Sequence, residues 1–227
     1  MISNLPMYVN LVFILTTLLT IFLFYKATYQ STITIAILFS WLLLQAIISL
    51  SGFYTITDTF PPRFVLMALP AVLLIIGLFV SAKGRAFIES LDAKTLTLLH
   101  MVRIPVEICL YWLYLSKSVP QLMTFEGRNF DIIAGLTAPF IFYFGYIKPQ
   151  IHKTVLLFWN IFCLGLLINI IVNAILSAPS AFQQFAFDQP NTAILYFPFV
   201  WLPCCVVPLV LLAHLVSIRR LIKSNDI

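Results

Sequence analysis

A chain of 227 residues that is 62% hydrophobic and 9% charged, with mean hydropathy +1.04, carries more apolar surface than a water-soluble domain of this size can hide. Its solvent is therefore largely lipid, and at about 20 residues per helical span plus short connections there is room for roughly seven passes, as one domain over residues 1–227. The net charge of +5 would suggest nucleic acid in a soluble protein, but most basic residues here sit at the ends of apolar runs, as membrane orientation demands.

The first run, Tyr8 to Tyr25, follows an uncharged leader, MISNLPM, whereas a secretory signal needs positive charge before its apolar stretch. It is expected to be a true span with its N-terminus outside. Further runs of membrane length are Thr32 to Tyr54, Phe64 to Ala82, Thr95 to Leu115, Phe130 to Ile147, Thr154 to Ala178 and Thr192 to Ile218. The expected fold class is all-α: a bundle of seven transmembrane helices joined by short loops.

Seven spans define two sides. Lys26, Lys83, Arg85, Lys94, Lys148, Lys153, Arg219, Arg220 and Lys223 fall on one, and only Arg63, Lys117 and Arg128 on the other. Nine against three places the first side, and the C-terminus, in the cytoplasm of a plasma or bacterial inner membrane. Between spans three and four, AKGRAFIESLDAK sets Phe87, Ile88 and Leu91 on one helical face amid charges, which predicts a short helix lying in the inner interface; a plain charged loop is the alternative. Pro70-Ala-Val-Leu-Leu in span three resembles Pro208-Leu-Val-Leu-Leu in span seven, the kind of echo a parallel transporter repeat leaves.

Span four reads TLTLLHMVRIPVEICLYWLYL. At 100° per residue, His100, Arg103, Glu107, Tyr111 and Tyr114 fall within an arc of about 80°. An intramembrane Arg or Glu costs roughly 2.5–3.5 kcal/mol, whereas each aliphatic residue returns only about 0.3–0.6 kcal/mol, so this stripe must face other helices or a wet cavity. Arg103 and Glu107, four apart, could pair directly and act as glue; Pro105 between them frees the carbonyl of Met101 and adds a polar backbone site. A binding site for a small polar or anionic solute, or a lipid headgroup, is the reading favoured over glue, with transport as its extension.

His100 and His214 lie at similar depth in spans four and seven, where they could hold a haem or, with a third ligand, a metal ion. Two ordinary hydrogen-bonded histidines are the favoured reading, because Glu107 lies about 10 Å along the helix from His100 and no third ligand is evident. On the outer side, Arg63, Glu126, Arg128, Asp131 and Asp188 are interleaved with phenylalanines. They make either a polar vestibule above the span-four stripe or plain solvated loops pairing locally, with Asn129 or Asp131 starting a helix. Gln45, Asn160, Asn169 and Asn173 read as helix-to-helix hydrogen bonders, Asn160 lying on the face opposite the other two of its span. Pro198, Pro203 and Pro208 make span seven irregular.

All four cysteines, Cys109, Cys163, Cys204 and Cys205, fall inside apolar runs and read as packing residues. No span carries a lysine for a retinal Schiff base, and no serine-hydrolase elbow, zincin or nucleotide-loop motif occurs. The partners implied are the bilayer and a small polar or anionic ligand, not nucleic acid. A membrane redox protein or enzyme built on His100 and His214, or a sensor or assembly partner using the outer face, are the alternatives.

Overall fold

The structure, a computed structural model, describes residue 2 and residues 5–223. The expected positions of the termini themselves, Met1 and Ile227, lie outside the described residues. The fold is all-helical: α1 (Met7–Ala27), α2 (Thr32–Leu50), α3 (Val65–Val80), α4 (Ala82–Ser90), α5 (Ala93–Leu99), α6 (Arg103–Leu115), α7 (Ile132–Phe142), α8 (Lys153–Ser177) and α9 (Val207–Lys223). A 3₁₀ turn, His100–Val102, joins α5 to α6, and π-helical turns extend α7 through Ile147 and precede α9 from Leu202.

Among the described residues five helical stretches are long and apolar enough to cross a membrane: α1, α2, Ala93–Leu115, α8 and Leu202–Lys223. The pair α3 and α4, bent by 95°, makes a sixth if it is one broken span, and Ile132–Ile147 is apolar but shorter. This is the architecture of a multi-pass membrane bundle. Long apolar side chains such as Leu43, Leu73 and Phe158 stay exposed on its outside, as lipid solvent allows and water does not.

Several helices begin where a side chain satisfies an otherwise orphaned amide. Ser31 accepts from the amide of Thr34, Ser81 from Gly84 and Asp92 from Thr95. The buried threonines of α1, Thr16, Thr17 and Thr20, turn their hydroxyls back onto carbonyls four residues earlier, so that face meets the bundle with no unmet donor. Pro105, which lacks an amide donor, sits in the first turn of α6, where helix amides have no intrahelical acceptor anyway; the chain tightens into the 3₁₀ turn just before it and runs on.

The run expected as span seven is corrected. Its first ten residues are not part of a long helix: Ala193–Leu195 is a 3₁₀ turn, further turns follow, and the helix starts only at Leu202. Ile194, Leu195, Phe199 and Val200 are buried against the bundle, so their hydrophobicity serves packing, and Pro198 and Pro203 deny the segment regular helical bonding. Pro208 has a second effect. It withholds the amide that would bond the carbonyl of Cys204 in an α-helix, and the indole of Trp41 on α2 donates to that carbonyl instead, at 2.9 Å. Two more bonds tie the same half of α2, from the Trp201 indole to the Leu42 carbonyl at 3.0 Å and from the Ser49 hydroxyl to the Leu195 carbonyl at 3.0 Å.

The expected helix in AKGRAFIESLDAK is present as α4, with Ile88 and Leu91 buried and Phe87 half-buried. It is pinned to the end of α9: Lys223 and Arg219 pair with Glu89, and Arg220 donates to the Glu89 carbonyl. The hydrogen bond from Lys223 holds the Glu89 carboxyl below its ordinary range. Gly84 sets the bend between α3 and α4, because a Cβ there would lie 2.5 Å from the Cα and carbonyl oxygen of Leu78. Backbone cannot yield as a side-chain tip can. Gly84→Ala is therefore expected to destabilise the protein by about 1–3 kcal/mol, seen as a lowered melting temperature in detergent; an unchanged melt would mean that the bend is free to open.

Candidate functional site

The centre of the bundle holds a continuous chain of buried polar side chains drawn from α6, α8, α9 and the turn that leads into α7. It begins on α6, where Glu107, 2% exposed, accepts from the Asn129 amide at 2.5 Å. Asn129 also donates to the Met123 carbonyl at 3.0 Å, and its own side-chain oxygen accepts from the backbone amide of Asp131 at 3.0 Å. That local turn delivers Asp131, the residue just before α7, to Arg103, whose Nη1 lies 2.9 Å from its Oδ1. Arg103 is itself 2% exposed, and Nη1 also reaches the Cys163 carbonyl on α8 at 3.5 Å. Close packing lets α6 and α7 meet here, since a Cβ on Gly135 would lie 2.9 Å from Ile104 and 3.3 Å from the Cβ of Arg103.

From Arg103 the chain continues to α9. Nη2 lies 2.8 Å from Nε2 of His214, and Nδ1 of His214 lies 3.0 Å from Oδ1 of Asn160 on α8. A guanidinium can only donate, so Nε2 must accept; Nδ1 then carries the proton and donates to Asn160. Asn160 is oriented to receive it because its amide nitrogen donates to the Leu156 carbonyl at 2.9 Å. The partners thus fix His214 as the neutral Nδ1–H tautomer.

His100 stacks on His214, with ring centroids 3.9 Å apart and planes 20° from parallel, and Trp159 meets the edge of His100 at 5.5 Å. His100 is fully buried, yet neither of its nitrogens has a hydrogen-bond partner among the described residues; the same holds for Nε of Arg103 and Oε2 of Glu107. Buried polar atoms are nearly always satisfied. These unmet atoms all lie on one stretch of span four.

The expected pairing of Arg103 with Glu107 is corrected: Arg103 takes Asp131, 28 residues on, and Glu107 takes Asn129. Local pairing of the outer charges is corrected with it. Among the described residues Arg63, Glu126, Arg128 and Asp188 form no ion pair; Arg63 and Arg128 lie over the rings of Phe53 and Phe185, while Asp131 turns inward. The energetics favour that choice, since an exposed pair is worth about 0–1 kcal/mol whereas a buried, unpaired arginine costs several. Tyr111 and Tyr114 share the stripe but lie beyond the chain, half-buried under the loops: Tyr111 stacks on Phe125 at 5.1 Å, and the Tyr114 carbonyl accepts from Gln189.

The two histidines do meet at one depth, but stacked rings 3.9 Å apart leave no slot for a macrocycle between them. His214 already spends both nitrogens, and among the described residues no three His, Cys, Asp or Glu side chains are grouped to hold a metal ion. The four cysteines are buried and free, as packing residues are. Asn160 bonds from helix to helix as expected, through His214, on the opposite face of α8 from Asn169 and Asn173, which bond at the other end of the helix; Asn129, expected only as a loop or helix-start residue, is the member that sequence reasoning missed.

Every member of the polar chain falls within residues 61–222, the stretch that matches the family model described as Domain of unknown function (DUF8737), while α1 and α2 fall outside it. No curated protein and no solved structure is detectably similar to the chain. With well over half its length matched, from Pro61 to the last turn of α9, the chain belongs to that family.

Proposed function

We propose that this is a seven-span membrane protein, N-terminus outside and C-terminus cytoplasmic, of a plasma or bacterial inner membrane, that binds a small oxyanion or an anionic lipid headgroup at Arg103 together with a proton. One observation carries the reading: among the described residues, Nε of Arg103, Oε2 of Glu107 and both nitrogens of His100 are buried without partners along one helix face. Their unmet hydrogen-bonding capacity matches a polar occupant. The seven-span count takes α3 and Ile132–Ile147 as spans, each 16 residues and roughly 24 Å at 1.5 Å per residue, which suits a locally thinned bilayer. The nine-to-three basic count orients them.

An oxyanion that accepts from Nε and displaces Asp131 from Nη1 leaves that carboxylate buried without its counter-ion. The least costly remedy is a proton on Asp131, so anion and proton enter together. Linkage gives the sign: a complex that takes up a proton tightens as pH falls. Transport would add only that Asp131 returns to Arg103 when the anion leaves on the other side.

The test is thermal melting of the detergent-purified protein with acetate, inorganic phosphate or phosphatidylglycerol-doped micelles, at mildly acid and mildly alkaline pH. A probe at about 100 times its dissociation constant is expected to add about 2.7 kcal/mol, more at acid pH. Stabilisation by acetate or phosphate alone identifies a free solute; stabilisation by phosphatidylglycerol alone identifies a headgroup only if Arg103→Met/Asp131→Leu loses it, since lipid bound elsewhere would survive that change. No stabilisation by any probe at either pH defeats the proposal. Topology is checked separately with single cysteines replacing Glu126 and Lys148: an impermeant thiol reagent is expected to reach the first only from outside and the second only from inside.

A further inference from the structure

We infer that the protein holds one anionic phospholipid in a lateral cleft between α2 and the α3–α9 pair, whose lining includes neither Arg103 nor any of its partners and which is independent of the reading given to them. The cleft has a volume of about 700 Å³ and is lined by Leu38 and Trp41 of α2, Pro70 and Leu74 of α3, and Pro208 and Leu212 of α9. The echoed motifs of spans three and seven therefore face each other across one hollow, each contributing its proline and the leucine four residues on. An apolar surface is unexceptional in lipid, but a concave one of this size must be filled, because an empty lining forfeits its dispersion contacts.

Three features select the occupant. The cleft runs along α2 from Ser31 to Trp41, ten residues or about 15 Å, which is one leaflet of a hydrocarbon core about 30 Å thick. One end is polar. Ser31 and Thr34, whose hydroxyls bond each other, line it, together with Phe87 of α4, the helix that turns 95° away from α3 and so lies across the bundle axis. The charge at that end is basic: Lys83, one helical turn before Phe87 on the same face, is exposed and has no hydrogen-bond or ion-pair partner among the described residues. Arg85 is already turned onto the carbonyl of Val80. A single acyl chain fits the hollow, and a phosphate at its mouth would meet Lys83 with the hydroxyls of Ser31 and Thr34.

The experiment is native mass spectrometry of the detergent-purified full chain after incubation with phosphatidylglycerol or phosphatidylcholine of identical acyl chains. The parent is expected to retain one phosphatidylglycerol in about fivefold preference, the equivalent of about 1 kcal/mol for one basic residue. Lys83→Gln is expected to abolish the preference while keeping some binding of both lipids. Leu74→Trp, which fills the hollow, is expected to lose both, and Ala71→Phe serves the same purpose if the first variant does not fold. Equal retention of the two lipids by the parent, retention unaffected in the filled variants, or a dimer that the filled variants convert to monomer would each overturn the inference, the last by naming a second copy as the occupant. Arg103→Met/Asp131→Leu, which removes the central ion pair, is expected to keep the lipid.

Discussion

Asp131→Leu is expected to lower stability by about 3–5 kcal/mol, the largest single effect in the molecule, because it leaves the Arg103 guanidinium buried with no counter-ion. The double variant Arg103→Met/Asp131→Leu is expected to regain most of that loss, since an apolar pair in place of a buried ion pair is often neutral or better. It will not regain all of it. His214 then keeps an acceptor nitrogen without a donor, a deficit of about 1–3 kcal/mol. Glu107→Leu is the control: Glu107 bonds Asn129 and not Arg103, so its loss should cost clearly less than that of Asp131. Reversible unfolding of the four proteins in detergent ranks them. If Glu107→Leu proved the more damaging of the two, the assignment of the arginine's partner would fall. The double variant also divides site from glue: it should fold well yet show no stabilisation by acetate or phosphate, and full retention of that stabilisation would reduce the ion pair to a structural part.

The second large effect has the opposite sign. His100→Phe keeps an aromatic ring stacked on His214 and against Trp159 while removing two buried nitrogens that have no partner among the described residues. Removing unmet polar atoms from a buried site should stabilise the protein by about 1–3 kcal/mol, a rise in melting temperature of roughly 2–4 °C per kcal/mol for a chain of this size. The same substitution should weaken the stabilisation by anions at acid pH, because His100 supplies part of the unmet hydrogen bonding that an occupant satisfies. A more stable and less responsive protein is the pattern expected of a residue retained for function. A lowered melting temperature would show instead that both nitrogens are satisfied in the resting protein, for example by buried water, and would weaken the case for an open site.

Much of this was legible in one dimension. The runs at Tyr8, Thr32, Thr95 and Thr154 became helices whose ends fall within a few residues of those expected, because lipid-length hydrophobicity and polar flanks are properties of short windows. His100, Arg103 and Glu107 were legible as one buried face for the same reason: helical periodicity is local. What lay beyond reach was pairing across distance. Nothing in the spacing of span four reveals that Arg103 prefers Asp131 to a glutamate on its own helix; that choice depends on the Asn129 turn and on the close approach of α7 that Gly135 permits. Residues 192–201 misled for a related reason, since hydrophobic side chains packed against protein and those facing lipid look alike in sequence.

The bond from Trp41 to the Cys204 carbonyl makes two distant positions answer for each other. Pro208 creates an orphan acceptor in hydrocarbon, and an indole 163 residues before it in the chain covers that acceptor. Losing Trp41 exposes the defect, whereas an amide restored at position 208 would make the indole dispensable. A lineage in which Trp41 has drifted to another side chain should therefore have shed the proline as well, and a suppressor of a Trp41 lesion should be sought first at position 208.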